Sequence, residues 1–302
     1  MNLLVTGASG ILGNDLVQEL LKRNHTVYAT DLVNRLEVDV PFIQLDLTDS
    51  NAVEQTLSQL PLDGVMHPAA WTAVDEAEKE ENHEKVMAIN GTATEFLAKY
   101  CKKRDIPLLY VSTDYVFAGT GEEPIQPDNT DFAPINYYGV TKLRGEEGVR
   151  KHLDRYYITR IAWVFGKNGN NFVKTMVRLG QTHSELRVVK DQIGTPTYTP
   201  DLARLLVDLM ESDQYGNYHI TNEGGYISWY DLAVATFEEA GMEVHVTPVR
   251  TEEYGESLAK RPLNSRLDKK KILEKGLKPL PDWRDALHRY VAILKKENQG
   301  NS

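Results

Sequence analysis

Three polar side chains in this chain could together transfer a proton. Tyr138 and Lys142 are four residues apart, so in a helix they lie one turn apart on the same face. An ammonium close to a phenol favours the phenolate and lowers the tyrosine pKa from its unperturbed value of about 10. Such a tyrosine can exchange a proton with a carbonyl or alcohol oxygen near neutral pH. Thr113, earlier in the chain, could donate a hydrogen bond to the same oxygen.

A glycine-rich stretch, residues 7–13, has the spacing Gly-x-x-Gly-x-x-Gly and lies between a predicted strand and a predicted helix. Glycines let a pyrophosphate approach the backbone at such a turn, and the helix N-terminus offers N–H groups to it. A simple tight turn is the alternative, and surface helices contain Tyr-x-x-x-Lys by chance. The combination of both motifs favours a redox enzyme with a dinucleotide cofactor. The residues expected to hold the cofactor at this turn are Gly7, Ser9, Gly10, Ile11, Leu12 and Gly13.

Asp31 ends the second predicted strand, about twenty residues after the glycine loop, where a carboxylate can accept hydrogen bonds from an adenosine ribose. This position favours NAD(H), because a 2′-phosphate would meet a like charge. Arg35 is close enough in sequence to offset that repulsion. The choice between NADPH and NADH therefore stays open at this point.

The elements that must position these residues alternate between short apolar strands and amphipathic helices. Strands are predicted near residues 3–5, 26–30, 42–45, 64–67, 108–112 and 157–161, and helices near 11–23, 49–59, 83–103 and 136–152. Such alternation is typical of βαβ units in a doubly wound parallel sheet. Thr113 follows the fifth strand, at the carboxyl edge where such sheets place their sites.

The second half of the chain mixes helices, near 171–182, 199–211, 228–240 and 283–296, with short strands near 187–189, 218–221 and 244–247. We predict an α/β fold, a Rossmann-type doubly wound parallel sheet with a smaller C-terminal mixed α/β substrate domain. Residues 1–166 are expected to form the NAD(P)-binding domain with the catalytic residues. Residues 167–302 are expected to be mainly substrate-binding, with about 187–222 returning to the first domain.

Composition excludes several classes of function. The chain of 302 residues has a formal net charge of −10 and no large basic block, so nucleic acid is not expected as a partner. No run approaches the roughly 18 apolar residues of a membrane span. Cys101 is the only cysteine, which excludes an internal disulfide and a thiolate metal cluster. With no basic leader or cleavage-like signal in the sequence, a reducing cytoplasm is expected.

The motifs at residues 7–13, 112–117 and 138–142 resemble those of the extended short-chain dehydrogenase/reductases. Five further stretches, residues 72–78, 160–166, 169–176, 191–197 and 261–265, are similar to the dTDP-4-dehydrorhamnose reductase family. Together they span nearly the whole chain. The resemblance implies a Rossmann fold and transfer of a hydride from NAD(P)H to C4 of dTDP-4-dehydro-6-deoxy-L-mannose, giving dTDP-L-rhamnose. The expected cofactor is NADPH, with NADH left open.

The resemblance also implies roles for individual residues. Tyr138 would donate the proton, Lys142 would tune Tyr138 and hold the nicotinamide ribose, and Thr113 would polarise the ketone. Further cofactor contacts would come from Asp46, Leu47, Ala69, Ala70 and Asn90. For Asn90, an ordinary polar helix residue is an equal alternative to a residue that holds the lysine through water. The substrate would contact Thr113, Asp114, Tyr115, Trp163, Asn171, Phe172 and, through its diphosphate, Arg261. Core packing is the alternative for Trp163 and Phe172.

Two departures from the family pattern matter. Pro68 removes a backbone donor at the cofactor pocket, where the family usually shows asparagine or cysteine. Some family members bind Mg²⁺ with acidic residues at a dimer contact, and Asp15 and Asp191 are the matching acids of an incomplete set. Mg²⁺ is therefore not expected, and no metal ligand is assigned.

Other functions on the same scaffold stay open. A sugar-nucleotide dehydratase generally needs a Glu where this chain has Tyr115, and an epimerase fits residues 261–265 poorly. A non-catalytic, cofactor-binding regulatory subunit of the methionine adenosyltransferase type belongs to another class. Retention of Thr113, Tyr138 and Lys142 favours an enzyme. Its expected partner is a small nucleotide sugar, without nucleic acid or membrane, and a homodimer is left open.

Overall fold

Seven parallel strands form the central sheet of the computed structural model, which describes residues 1–255 and 257–300. In chain order they are β1 (Asn2–Thr6), β2 (Thr26–Asp31), β3 (Phe42–Gln44), β4 (Gly64–His67), β5 (Leu108–Thr113), β6 (Tyr156–Ile161) and β11 (Gly216–His219). Their order across the sheet is β11-β6-β5-β4-β1-β2-β3. The direction of winding reverses between β1 and β4, and sheets of this kind bind ligands outside the carboxyl ends of the strands at that point.

Helices cover both faces of the sheet. They are α1 (Ile11–Lys22), α2 (Ser50–Leu57), α3 (Val74–Ala77), α4 (His83–Met87), α5 (Ala93–Arg104), α6 (Tyr137–His152), α7 (Phe172–Gly180), α8 (Thr199–Met210), α9 (Trp229–Ala240), α10 (Thr251–Tyr254), α11 (Lys270–Glu274) and α12 (Trp283–Gly300). Successive β1 residues point to opposite faces, so Leu3 and Val5 pack with α1 and α8 while Leu4 packs with α2 and α5. The predicted doubly wound parallel sheet is confirmed. No helix among the described residues is both long and apolar enough to cross a membrane.

The second half adds three two-stranded sheets. These pair β7 (Val164–Phe165) with β10 (Thr197–Tyr198), β8 (Glu185–Val189) with β13 (His245–Val249), and β9 (Ile193–Gly194) with β12 (Ile227–Ser228). Within the stretch expected to return to the first domain, α8 packs on α1 and β11 pairs with β6, whereas β8 pairs with β13. The division of the chain into two domains stays a prediction. Residues 301 and 302, at the end of the second predicted domain, lie outside the described residues.

The helix predicted at 83–103 is interrupted by a π-helical segment, Ala88–Thr92, which joins α4 to α5. A π-helical turn inserts one residue into a helix and changes the direction of the side chains around it. Helical periodicity does not reveal such an insertion, because the apolar residues on either side keep their own regular spacing. The segment contains Asn90, which is fully buried.

A buried ion pair fixes α6 against the sheet. Arg160 on β6 donates from Nε and Nη2 to the two carboxylate oxygens of Glu146 on α6, each at 2.8 Å, and neither side chain is exposed to solvent. Arg160 Nη1 also donates to the Pro127 carbonyl at 2.9 Å. Burial alone would raise the pKa of Glu146, but the hydrogen bonds and charge of Arg160 lower it. Glu146 therefore stays ionised inside the core.

Glu146→Gln should lower the free energy of unfolding by about 3 kcal/mol, because it leaves the Arg160 charge buried without a counter-charge. Urea denaturation at neutral pH measures the change. The neighbouring Glu147→Gln is the matched control: its carboxylate lies 3.6 Å from Arg144 and is largely exposed, so about 0.5 kcal/mol or less is expected. Equal losses in the two variants would contradict a structural role for the buried pair.

Candidate active site

The glycine loop has the shape that a dinucleotide needs. Gly7 has a φ of 56°, in the left-handed region, and a Cβ there would lie 2.7 Å from the Ala69 Cα. A Cβ at Gly13 would lie 2.0 Å from the Gly7 carbonyl oxygen. Gly10 caps α1 without a side-chain hydrogen bond, so the N–H groups of the first turn can face an anion. These residues fit the pyrophosphate of a nicotinamide dinucleotide.

A cleft of about 590 Å³ opens beside this loop. Among the residues predicted to bind the cofactor, it is lined by Gly7, Asp31, Asp46, Leu47, Ala69 and Ala70. Leu12 is instead buried in the core, so it can reach a cofactor only through its backbone. Ile11 lies close to the backbone of Gly166.

Asp31 is held by backbone groups at the end of β2. Its carboxylate accepts from the Ser9 N–H at 3.0 Å and from the Leu32 N–H at 2.7 Å. The Ser9 hydroxyl donates to the Val33 carbonyl and accepts from the Arg35 backbone N–H. These bonds tie the glycine loop to the segment after β2, where a ribose would lie.

Asn90 joins two parts of the site. Its side-chain oxygen accepts from the Trp71 N–H at 2.8 Å, and its amide donates to the Thr141 hydroxyl at 3.0 Å. Thr141 is the residue before Lys142 on α6. Asn90 thus links, by direct hydrogen bonds, the segment after β4 to the helix that carries Tyr138 and Lys142. It is buried and is not a polar residue on a helix surface.

Neutral side chains close the edge of the cofactor pocket at Pro68, where the sequence departs from the family pattern. His67, just before Pro68, is buried and bonds the hydroxyls of Thr6 and Thr94 at 2.7 and 3.0 Å. Burial, together with the charge of Lys142, lowers the pKa of His67 to about 3. His67 is therefore neutral at ordinary pH.

The structure brings Thr113, Tyr138 and Lys142 together at the carboxyl end of β5. The Asn136 side chain caps α6 by accepting from the Gly139 N–H at 2.8 Å, which places Tyr138 in the first turn. Lys142 is buried one turn later, where its Nζ donates to the Val111 carbonyl at 2.7 Å. Burial lowers the pKa of Lys142 to about 7, against the opposing charge of Glu146.

The expectation that Lys142 lowers the pKa of Tyr138 is wrong for this structure. Burial raises the pKa of Tyr138, the charge of Asp114 adds to the rise, and the Thr113 hydroxyl opposes it. The reason is geometric, because the Lys142 ammonium is bound to the Val111 carbonyl. Tyr138 consequently keeps its proton at neutral pH, which is the state required of a proton donor.

Asp114 is buried beside this triad. Thr113 donates to one of its carboxylate oxygens at 3.1 Å, and the Ser265 hydroxyl donates to the other. Burial raises the pKa of Asp114 to about 6, although both hydrogen bonds oppose the rise. The ring of Tyr115 packs edge-on against Tyr138, with 5.9 Å between ring centroids. Ser265, for which the sequence indicated no role, thus anchors a predicted substrate residue.

A second cleft, of about 980 Å³, lies between the second-half elements and α3. Of the predicted substrate residues, Phe172 and Arg261 line it. Trp229 also lines it, stacks on Trp163 at 3.8 Å between centroids and packs against Phe172 at 4.6 Å. The sequence did not single out Trp229, because its position after Ser228 indicates only the first residue of a helix.

Asn171 and Arg261 are engaged by protein groups rather than free. The Asn171 side chain caps α7 through the Lys174 N–H and donates to the Gly166 carbonyl and the Tyr290 hydroxyl. Its contribution to the second cleft is therefore indirect, through the helix that begins at Phe172. Arg261 Nη2 lies 2.6 Å from the carboxylate of Asp75.

Asp15 and Asp191, the acids that match the Mg²⁺ ligands of some family members, lie in different settings. Asp191 accepts from the backbone N–H and the hydroxyl of Thr251 with its carboxylate. Burial raises the pKa of Asp15 to about 6, which disfavours the charged form that Mg²⁺ prefers. Within the described part of the chain, no three or more His, Cys, Asp or Glu side chains converge as metal ligands.

Comparison with known proteins agrees with this geometry. Residues 1–296 match the RmlD substrate binding domain family. The chain is 39% identical over 288 residues to the spore coat polysaccharide biosynthesis protein SpsK of Bacillus subtilis, covering 95% of this chain and 96% of that protein. It is 40% identical over 291 residues to a dTDP-4-dehydrorhamnose reductase of Streptomyces griseus, covering 94% and 91%.

A solved structure of a dTDP-4-dehydrorhamnose reductase from Bacillus anthracis, in complex with NADP, superposes with a TM-score of 0.87. The two proteins are 37% identical, and the match covers 96% of this chain and 98% of that one. The similarity therefore extends over both clefts.

Proposed function

This chain belongs to the RmlD substrate binding domain family, and we propose from that premise that it reduces the C4 ketone of dTDP-4-dehydro-6-deoxy-L-mannose to dTDP-L-rhamnose, in dTDP-rhamnose biosynthesis. The observation that carries the proposal is the placement of Tyr138. Its phenol lies beside the Thr113 hydroxyl, and Lys142 follows one turn later on the same helix. The chain also provides a glycine cradle for a dinucleotide.

A nicotinamide cofactor supplies the hydride when it is bound. The Tyr138 hydroxyl donates its proton to the ketone oxygen as negative charge develops there, and its raised pKa keeps that proton available. Lys142 acts on the cofactor rather than on the phenol, through an ammonium that lies one turn away. An ammonium has three donors, so its bond to Val111 leaves others for a ribose hydroxyl. The Thr113 hydroxyl turns from Asp114 to donate to the ketone oxygen.

We propose NADPH as the preferred cofactor, with NADH as the weaker one. The Asp31 carboxylate disfavours a 2′-phosphate, but two backbone N–H groups already bind its oxygens and reduce its effective charge. Arg35 lies on the exposed segment beside it, where its positive charge offsets that repulsion. The NADP complex of the Bacillus anthracis relative supports this choice.

We also propose that the substrate occupies the second cleft, with Trp163, Phe172 and Trp229 against the sugar or base and Arg261 near the diphosphate. Tyr115 stands where a dehydratase generally carries Glu, so elimination chemistry is less well supported. A homodimer and a cytoplasmic location stay predictions of the sequence.

Purified protein should oxidise NADPH, and NADH more slowly, only when a 4-keto sugar nucleotide is supplied. The nicotinamide absorbance, followed across a panel of such substrates, measures this oxidation.

Tyr138→Phe should lower kcat by about 10²- to 10⁴-fold, because it removes the proton donor, and should change cofactor affinity by about twofold or less. Cofactor binding without turnover of any panel member would favour the regulatory-subunit function. Full activity of the phenylalanine variant would remove Tyr138 from the mechanism.

The value of kcat/KM should fall as pH rises through about 7, the pKa to which burial lowers Lys142. A lysine is charged below its pKa and neutral above it, so the ammonium that holds the nicotinamide ribose is present at lower pH and lost at higher pH. Initial rates at low substrate concentration, between about pH 6 and pH 9, measure the profile. A flat profile across this range would contradict a requirement for the Lys142 ammonium.

A further inference from the structure

Asp75, on the short helix α3, holds a loop of the substrate cleft. Its carboxylate accepts from the Ala259 backbone N–H at 3.1 Å, the Ser257 hydroxyl at 2.8 Å and Arg261 Nη2 at 2.6 Å. We call residues 257–261 the substrate loop, because all five line the cleft of about 980 Å³. A single carboxylate thus fixes the start, the middle and the end of this loop.

Glu78, the residue that follows α3, contacts a different element. Its carboxylate accepts from the Tyr137 backbone N–H at 2.5 Å. Tyr137 is the first residue of α6, directly before Tyr138, and its ring stacks on His83 at 3.8 Å between centroids. A carboxylate at a helix N-terminus satisfies an N–H that has no partner within the helix and interacts favourably with the helix dipole. Glu78 therefore fixes the turn of α6 that carries the tyrosine.

The contacts of Asp75 and Glu78 belong to one closed ring of hydrogen bonds and the chain segments that they join. Asn136, the cap of α6, donates from its side-chain amide to the Lys260 carbonyl of the substrate loop at 2.8 Å. The ring runs from the loop to Asp75, along α3 to Glu78, into α6, and back through Asn136 to the loop. Movement of the substrate loop relative to α6 must break one of these bonds.

We propose that Asp75 and Glu78 are positioning residues that hold the substrate loop and the catalytic helix in register. Asp75 acts through Arg261 and the loop, so its effect is on substrate binding. Glu78 acts through the N-terminus of α6, so its effect is on the placement of Tyr138 against the ketone. The inference rests on the proposed reduction of a nucleotide sugar and adds the residues that set its geometry.

If Asp75 had a purely structural role, its removal would change the melting temperature more than the ligand affinity. Asp75 and Arg261 are partly exposed, at 43% and 30% of their side-chain surface, and such pairs add little to global stability. The hydrogen bonds from Ala259 and Ser257 serve local order of the loop. The effect of removing Asp75 should therefore appear in ligand affinity more than in the melting temperature.

The experiment compares five variants by four measurements. Asp75→Ala, Asp75→Asn, Glu78→Ala and Glu78→Gln are assayed for kcat and KM with the 4-keto sugar nucleotide, for the Kd of dTDP by calorimetry, and for Tm. Glu76→Ala is the matched control, because Glu76 lies in the same helix and its half-exposed carboxylate contacts Lys79. NADPH affinity is measured in every variant to show that the first cleft is intact.

Asp75→Ala should raise KM and the Kd of dTDP by about tenfold with little change in kcat, and Asp75→Asn should recover part of the loss because its amide oxygen still accepts from Ala259. Glu78→Ala should lower kcat by about fivefold with the Kd of dTDP nearly unchanged. Glu78→Gln should restore most of kcat, since its amide oxygen can accept the Tyr137 N–H.

The proposal is overturned if the alanine variants match Glu76→Ala in kcat, KM and Kd, or if they change only Tm. It is also overturned if Asp75→Ala binds dTDP more tightly than the wild type, since Asp75 would then compete with the diphosphate for Arg261. Failure of the wild type to turn over the substrate would instead overturn the proposed reductase function. The dTDP calorimetry tests the role of Asp75 without turnover, so it distinguishes this failure from failure of the positioning proposal.

Discussion

The buried pair between Glu146 and Arg160 is the interaction on which the position of α6 depends. Two fully buried charges are tolerated only because two parallel hydrogen bonds join them. The pair holds α6 against β6 two turns beyond Tyr138, while Asn136 and Glu78 hold the other end of the helix. The helix is therefore fixed at its N-terminus and again two turns later, and its tyrosine and lysine face the carboxyl edge of the sheet.

Fixing α6 in this way also sets the ionisation of the site. Lys142 is drawn into the core, where it bonds the Val111 carbonyl, and Glu146 is the acidic side chain that counters the effect of its burial. The result is a lysine whose pKa lies near neutrality beside a tyrosine whose pKa is raised. This combination suits reduction, because the phenol starts protonated and the ammonium is available to hold the nicotinamide ribose.

Much of the fold could be predicted from the sequence, because each strand of the first half is a short apolar run bounded by turn residues. The glycine loop, Asp31, Thr113, Tyr138 and Lys142 all lie where their order along βαβ units places them. Several features could not be predicted. The π-helical segment changes no apolar spacing, the pKa of Tyr138 depends on burial that no local pattern encodes, and Asp75 meets Arg261 across 186 positions of sequence. Trp229 and Ser265 belong to the same group, since their partners come from distant parts of the chain.

The most direct measurement is the fate of deuterium from NADPH labelled at both C4 positions of the nicotinamide. A single turnover with dTDP-4-dehydro-6-deoxy-L-mannose, followed by NMR of the product, locates the label. Reduction by hydride transfer, with Tyr138 as proton donor, predicts dTDP-L-rhamnose with deuterium on C4 of the sugar and none in the Tyr138→Phe variant on the same timescale. A product with no deuterium at C4, or no product while NADPH and dTDP both bind, would contradict it.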